Sequence, residues 1–243
     1  MFYLITKEIK DFWNNVFGIS ALGVLVIATY LVLWVFEETG YLSFGLAEGD
    51  LYFQYLSYLM LFIVPAFSVG FLANEYSFGT EELLRSLSLD WNKVITAKFI
   101  AAFIILLFLL LLTSFQLFVV YDLSLTPQSL PIRQIAGSYI GLAGLGACFI
   151  GISLMITSFV EQTAASFILS IFVCFMFYSG FALIGEIELF TGSTDLWMDR
   201  LSLSYHSEQI SRGILRFSSI IYLIGLCAWT LWLSAHRLNT KEI

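Results

Sequence analysis

Six long apolar runs decide most of what this chain can become. They occupy 16–36, 51–73, 98–121, 134–159, 162–185 and 214–235. Each is long enough, at 1.5 Å of rise per residue, to cross about 30 Å of hydrocarbon as a helix. A backbone surrounded by hydrocarbon has to satisfy its own N–H and C=O groups, which makes the helix the form such runs take. Composition closes the alternative of a large soluble core. The chain is 59% hydrophobic and only 12% charged, with a mean hydropathy of +0.89, against roughly 25% charged in an average soluble domain. The expectation is an all-α polytopic membrane protein, one transmembrane domain over 1–243.

The segments around the runs carry the topology. Residues 1–15 are amphipathic: Phe2, Ile5, Ile9, Phe12 and Trp13 share a helical face, with Lys7, Glu8, Lys10 and Asp11 placed opposite. That pattern predicts a helix lying in the membrane interface. The first run has no small-residue cleavage site after it and is expected to stay as a signal-anchor. Lys7, Lys10, Arg85, Lys93, Lys98, Arg237 and Lys241 fall on one side of the six runs, and Arg133, Arg200, Arg212 and Arg216 on the other. The loop over 37–50 has no Lys or Arg at all. The basic excess assigns both termini and the 74–97 segment to the cytoplasm.

Within the fourth run Gly137 and Gly141 stand four apart, and Ala143, Ala147 and Gly151 continue the small-residue pattern. Small residues let helix backbones approach closely, so this helix is expected at the centre of the bundle. Val160-Glu161-Gln162 alone separates the fourth and fifth runs and predicts a tight antiparallel hairpin. The segment 186–213 is too polar to span, and Leu196, Trp197, Leu201, Leu203 and Tyr205 are spaced for short helices dipping into the outer interface.

Catalytic chemistry is thin in this sequence. There is no G-x-x-x-x-G-K-[ST] loop for a nucleotide, no His-Glu-x-x-His, and only 2 histidines. Ser153 with His206 is the nearest approach to an intramembrane serine protease. Leu154 stands where a glycine would follow such a serine, and His206 lies outside its apolar run; Ser153 reads more simply as a packing serine. Cys148, Cys174 and Cys227 all lie in apolar runs and read as small buried hydrophobes. Lys98 and Arg216 stand at run ends, and the interiors of the six runs hold no Asp, Glu, Lys or Arg, whereas ion-coupled transporters keep such residues there. Energy therefore comes from a partner, or the protein is passive.

The stretch from Asn74 to Lys98 is the polar exception. Thr80 reads as a helix N-cap, with Gly79 before it and Glu81 and Glu82 in the first turn, where the helix dipole favours negative charge. Leu83, Leu84 and Leu87 then share one face. Asp90 reads as a second N-cap, opening a helix through Trp91, Val94 and Ile95. A short helix with an apolar stripe outside a membrane either packs on its own spans and the headgroups or docks a soluble partner.

The pattern Glu75, Gly79-Thr80-x-Glu82-Leu83-Leu84, Ser86, Asp90-Trp91 and Lys98-Phe99 resembles the first cytoplasmic loop of ABC-2-type transporter permeases. More narrowly, it is similar to the permease subunit of the gliding-motility-associated ABC transporter. Leu87 stands where that family commonly has Pro, and Ala97 where it has Gly. Ser158 to Ala165 resembles the family's second, smaller contact with its ATPase, and Ile210-Ser211-Arg212-Gly213-Ile214 with Ile221-Tyr222 resembles its approach to the last span. Arg216-Phe217-Ser218-Ser219 departs from the acidic–basic pattern usual there.

The resemblance implies a coupling helix over 79–89 that inserts into a separate ABC ATPase. Its contact set here would be Glu75, Gly79, Thr80, Glu82, Leu83, Leu84, Leu87, Asp90, Trp91, Lys98, Glu161 and Gln162. It further implies re-entrant helices over 186–213, an N-terminal helix bordering the ATPase, and a second permease chain, identical or related. An accessory subunit on the periplasmic side also fits. ATP and Mg would sit on the partner ATPase; this chain would hold no cofactor and no metal, bind no nucleic acid, and lie in a bacterial inner membrane. The readings kept beside it are a passive scaffold or channel-forming assembly subunit and, further back, the intramembrane protease.

Overall fold

A computed structural model describes residues 1–14, 16–34, 49–79, 90–123, 132–185, 198–211 and 216–240. All the regular structure among them is helical. In chain order the helices are α1 (Phe2–Asn14), α2 (Val16–Trp34), α3 (Gly49–Ser68), α4 (Gly70–Phe78), α5 (Trp91–Leu123), α6 (Ile132–Phe159) and α7 (Thr163–Phe175). A π-helical turn (Met176–Gly180) leads into α8 (Phe181–Gly185), followed by α9 (Leu203–Ser211) and α10 (Phe217–Thr240).

Among the described residues, five helical stretches are long and apolar enough to cross a membrane: Tyr52–Ser77, Trp91–Gln116, Ile135–Phe159, Thr163–Gly185 and Phe217–Thr240. A sixth appears if Phe2–Asn14 and Gly18–Leu31, bent by 67° from one another, are counted as one broken span. The surface requires hydrocarbon around it. Ile168, Phe172, Ile224, Trp229 and Trp232 are all at least half exposed, on α7 and α10. An apolar patch of that extent is not left facing water by a monomeric soluble protein.

One helix boundary runs past the sequence reading, and the other falls where Asp90 was read as an N-cap. The second apolar run ends at Ala73, yet the helix continues to Phe78 and closes on Gly79, whose backbone is left-handed at φ 65°. Gly79 ends the preceding helix, since only glycine enters that conformation without a Cβ penalty; the helix start read at Thr80 lies outside the described residues. On the other side α5 starts at Trp91, seven residues before the apolar run it carries. Asp90 Oδ1 accepts from the Asn92 backbone N–H at 3.1 Å, an N-cap bond.

Helix α6 is the one the others gather on, packing against α10, α9, α3, α7 and α5. Its glycines set the approach. A Cβ on Gly151 would stand 2.5 Å from Thr230 Oγ1 of α10, and one on Gly141 would stand 3.0 Å from the Ser207 carbonyl of α9. Gly146, outside the small-residue pattern read from the sequence, is as close to Leu106 of α5. Cys148 on α6 and Cys227 on α10 bring their sulfurs to 3.6 Å, as free thiols. The π turn was not foreseen. Within it the Tyr178 carbonyl accepts from Ser202 Oγ at 2.6 Å.

Candidate functional site

Lys98 is the most unusual side chain in the fold: 1% exposed and ionic, on a helix otherwise lined by Val94, Ile95, Ala101 and Ala102. Its Nζ stands 2.7 Å from Glu8 Oε1 and 2.7 Å from Glu75 Oε1, and donates to the Phe71 carbonyl at 2.6 Å. An ammonium has three N–H donors and all three are used. Three helices supply the parts. Glu8 comes from α1, Glu75 from α4 just before the 80–89 segment, and Lys98 from α5 just after it.

This corrects the placement of Glu8 on the polar face of α1. Glu8 is 5% exposed and shares the inward face with Phe12, while Phe2 and Tyr3 are 84% and 82% exposed. The signal was in the spacing. Glu8 lies one turn before Phe12, at the border of the apolar stripe, and a charge at such a border is free to turn inward when an opposite charge waits there. Lys98, counted among the cytoplasmic basic residues by the sequence reading, is buried in the bundle.

Of the remaining residues in the proposed contact set, Trp91 is buried at 2% exposure at the start of α5, the helix that carries Lys98. Asp90 and Gly79 are exposed at the two edges of the segment, as are Glu161 and Gln162 in the α6–α7 turn. Thr80, Glu82, Leu83, Leu84 and Leu87 lie outside the described residues. The α6–α7 turn is the short one expected, with the Ser166 N–H bonded to the Gln162 carbonyl at 2.9 Å. Leu196 and Trp197 also lie outside the described residues. Leu203 is fully buried against the bundle, whereas Leu201 is 46% exposed.

The chain alternates direction from span to span, so α9 packs at the opposite end from Lys98. There His206, 6% exposed, bonds through Nε2 to the Arg200 carbonyl at 2.8 Å and through Nδ1 to Ser219 Oγ at 3.0 Å. A carbonyl only accepts, so Nε2 carries the proton and the neutral imidazole accepts from Ser219. The ring stacks on Tyr222, with centroids 4.3 Å apart. Burial holds the imidazole below its ordinary range, with the bond to Arg200 pulling the other way. Ser153, the other half of the considered protease pair, donates to the Phe149 carbonyl at 2.7 Å within its own helix.

A cavity of about 690 Å³ opens between α1, the start of α2 and the α3–α4 span, with Glu8 and Glu75 in its wall. Among the described residues no group of three or more His, Cys, Asp or Glu could hold a metal ion. Compared with known proteins, the chain matches no family model and no curated sequence.

Proposed function

We propose that this chain is the membrane-spanning permease subunit of an ATP-driven ABC-2-type transporter, of the gliding-motility-associated kind. It couples ATP hydrolysis on a separate ATPase to transport or force transmission across an inner membrane. The observation that carries the reading is the Glu8–Lys98–Glu75 cluster. The residues flanking 79–90 are fastened to each other and to α1, so a push on that segment cannot be absorbed by the two helix ends separately. It moves α1, α4 and α5 together. Six spans, cytoplasmic termini and a second permease chain belong to the same proposal, and the 79–89 helix is its contact with the ATPase.

The test separates coupling from packing. Leu84→Asp places a charge on the apolar face of the 79–89 helix. If that face docks on the ATPase, a dry unpaired carboxylate there is strongly unfavourable. The expected result is a permease that inserts and unfolds thermally like the parent but no longer co-purifies with its ATPase. A destabilised lone subunit that still binds its ATPase normally would overturn the assignment.

A further inference from the structure

We propose that a second cavity, between α3, α6, α9 and the π turn, binds a neutral sugar of one hexose unit. The inference does not use the permease reading. The cavity measures about 210 Å³, the space of about seven water molecules at about 30 Å³ each. It lies at the His206 end of the bundle, and Gln54 and Glu208 are exposed in its wall. A close approach shapes it. Gly141 lets α9 settle on α6, and a Cβ there would stand 3.0 Å from the Ser207 carbonyl.

One side chain in the wall calls for a ligand. Ser138 on α6 is 4% exposed and lines the cavity, yet it makes no hydrogen bond among the described residues. Further along the same helix Ser153 and Thr157 donate to the carbonyl four residues back. Ser138 does not, and a buried hydroxyl without a partner is costly. The other serines of the cavity are in the opposite condition. Ser57 donates to the Phe53 carbonyl at 2.9 Å, Ser207 to the Ser204 carbonyl at 2.9 Å and Ser211 to the Glu208 carbonyl at 2.8 Å. Each has committed its single proton and has only lone pairs left for an occupant.

These serines together offer three acceptors and one donor. A metal ion or an ammonium would satisfy the acceptors and leave the Ser138 proton unanswered. A carboxylate or phosphate would answer Ser138 and meet lone pairs elsewhere. Hydroxyl groups both donate and accept, so they serve the whole set. Water does so too, but Phe53, Leu142 and Tyr178 also line the cavity, and water gains nothing against apolar surface. A pyranose carries hydroxyls around its rim and C–H groups on its faces. One such molecule fits both parts of the wall, with a few polar groups fixing its orientation.

The experiment uses the purified full chain in phospholipid nanodiscs, because glycoside detergents would compete. Saturation-transfer NMR titrations measure binding of glucose, galactose and mannose in turn. At least one should bind saturably with a Kd of about 1 mM or below, the range for a ligand of about twelve non-hydrogen atoms. Ser138→Ala should weaken that binding about tenfold, the loss of one good hydrogen bond. It should leave thermal unfolding unchanged, since the hydroxyl supports nothing within the chain. Ser211→Phe, at a partly exposed wall position, fills the cavity and should abolish binding. Cyclohexanol, sodium and ethylammonium should not displace the sugar. Absence of saturable binding by all three sugars, or binding indifferent to either substitution, would overturn the proposal and leave the cavity to water. Displacement by cyclohexanol or by a cation would overturn it in favour of an apolar or a cationic occupant. No ATPase enters the assay, so its failure and the failure of the permease reading are separate results.

Discussion

At one end of the bundle a lysine and two glutamates share a dry site; at the other a neutral histidine is held between a serine hydroxyl, a carbonyl and a tyrosine ring. Both ends bury polar groups, and they do so by different physics. Charges attract over several ångströms and tolerate small displacements, whereas a hydrogen bond weakens steeply once its angle or distance departs from the optimum. The Lys98 end therefore stays joined while helices shift, and the His206 end registers α9 and α10 in one place. If the chain couples to an ATPase as proposed, a joint that transmits movement belongs at the first end and a fixed reference at the second.

The comparison is broken most severely by removing the lysine. Lys98→Met leaves Glu8 and Glu75 buried without their cation, and is expected to cost about 3–5 kcal/mol of stability in detergent unfolding. Neutralising the carboxylates as well, with Glu8→Gln and Glu75→Gln, should return most of that loss, since an uncharged cluster of the same shape has no desolvated charge to support. A triple variant as unstable as Lys98→Met alone would show the cluster to be packing rather than ionic.

Between the ends lies the α6–α10 seam. Gly151→Val puts atoms where Thr230 Oγ1 stands 2.5 Å from the Cβ position, and is expected to cost about 3 kcal/mol through overpacking. If the two ends are separate devices, this loss leaves the Lys98→Met penalty and the pH behaviour of the His206 end unchanged. A seam substitution that altered either would mean that the ends communicate. Gly225→Ala on α10, where a Cβ meets nothing within 4 Å, is the control and should be neutral or gain about 0.5–1 kcal/mol.

The helical architecture was legible because hydrophobic run length is read directly against bilayer thickness. The ends of the helices were legible only in part: Asp90 was read as the cap it is, but the polar residues around Glu75 look like loop from composition, and their helical state depends on partners from elsewhere in the chain. Gly79 shows the same limit, since glycine permits a helix start or a left-handed stop and only the backbone around it decides. Glu8 was misplaced because periodicity assigns a face without knowing that a lysine ninety residues away makes the apolar side habitable. The close approach at Gly146 and the π turn at Met176–Gly180 leave no pattern in spacing.

A smaller effect tests the neutral end. His206→Phe keeps a ring for Tyr222 to stack on while removing the bonds to Ser219 and the Arg200 carbonyl, and is expected to cost about 1–3 kcal/mol. The Lys98 cluster should not register the change. If the apparent cost of Lys98→Met differs between the parent and the His206→Phe background by more than about 0.5 kcal/mol, the sites are not independent.

The smallest effect follows from the sign of the histidine's titration. Burial lowers the His206 imidazole below its ordinary value of 6.5 in the folded chain, whereas the unfolded chain titrates at the ordinary value. Above that pH both states are neutral and the contribution of the buried ring is fully present. As pH falls through 6.5 the unfolded chain takes up a proton that the folded chain refuses, so stability falls with it. The loss continues down to the folded-state value, at no more than about 1.4 kcal/mol per pH unit for one proton. Other groups in the chain respond to acid as well, so the quantity to measure is a difference. Unfolding free energies of the parent and of His206→Phe, each in a His236→Gln background that removes the other histidine, should run parallel above pH 7 and converge below it. A constant separation through pH 5 to 8 would mean that His206 keeps its ordinary affinity for protons when folded. The neutral end would then owe its fixity to the stacked rings alone.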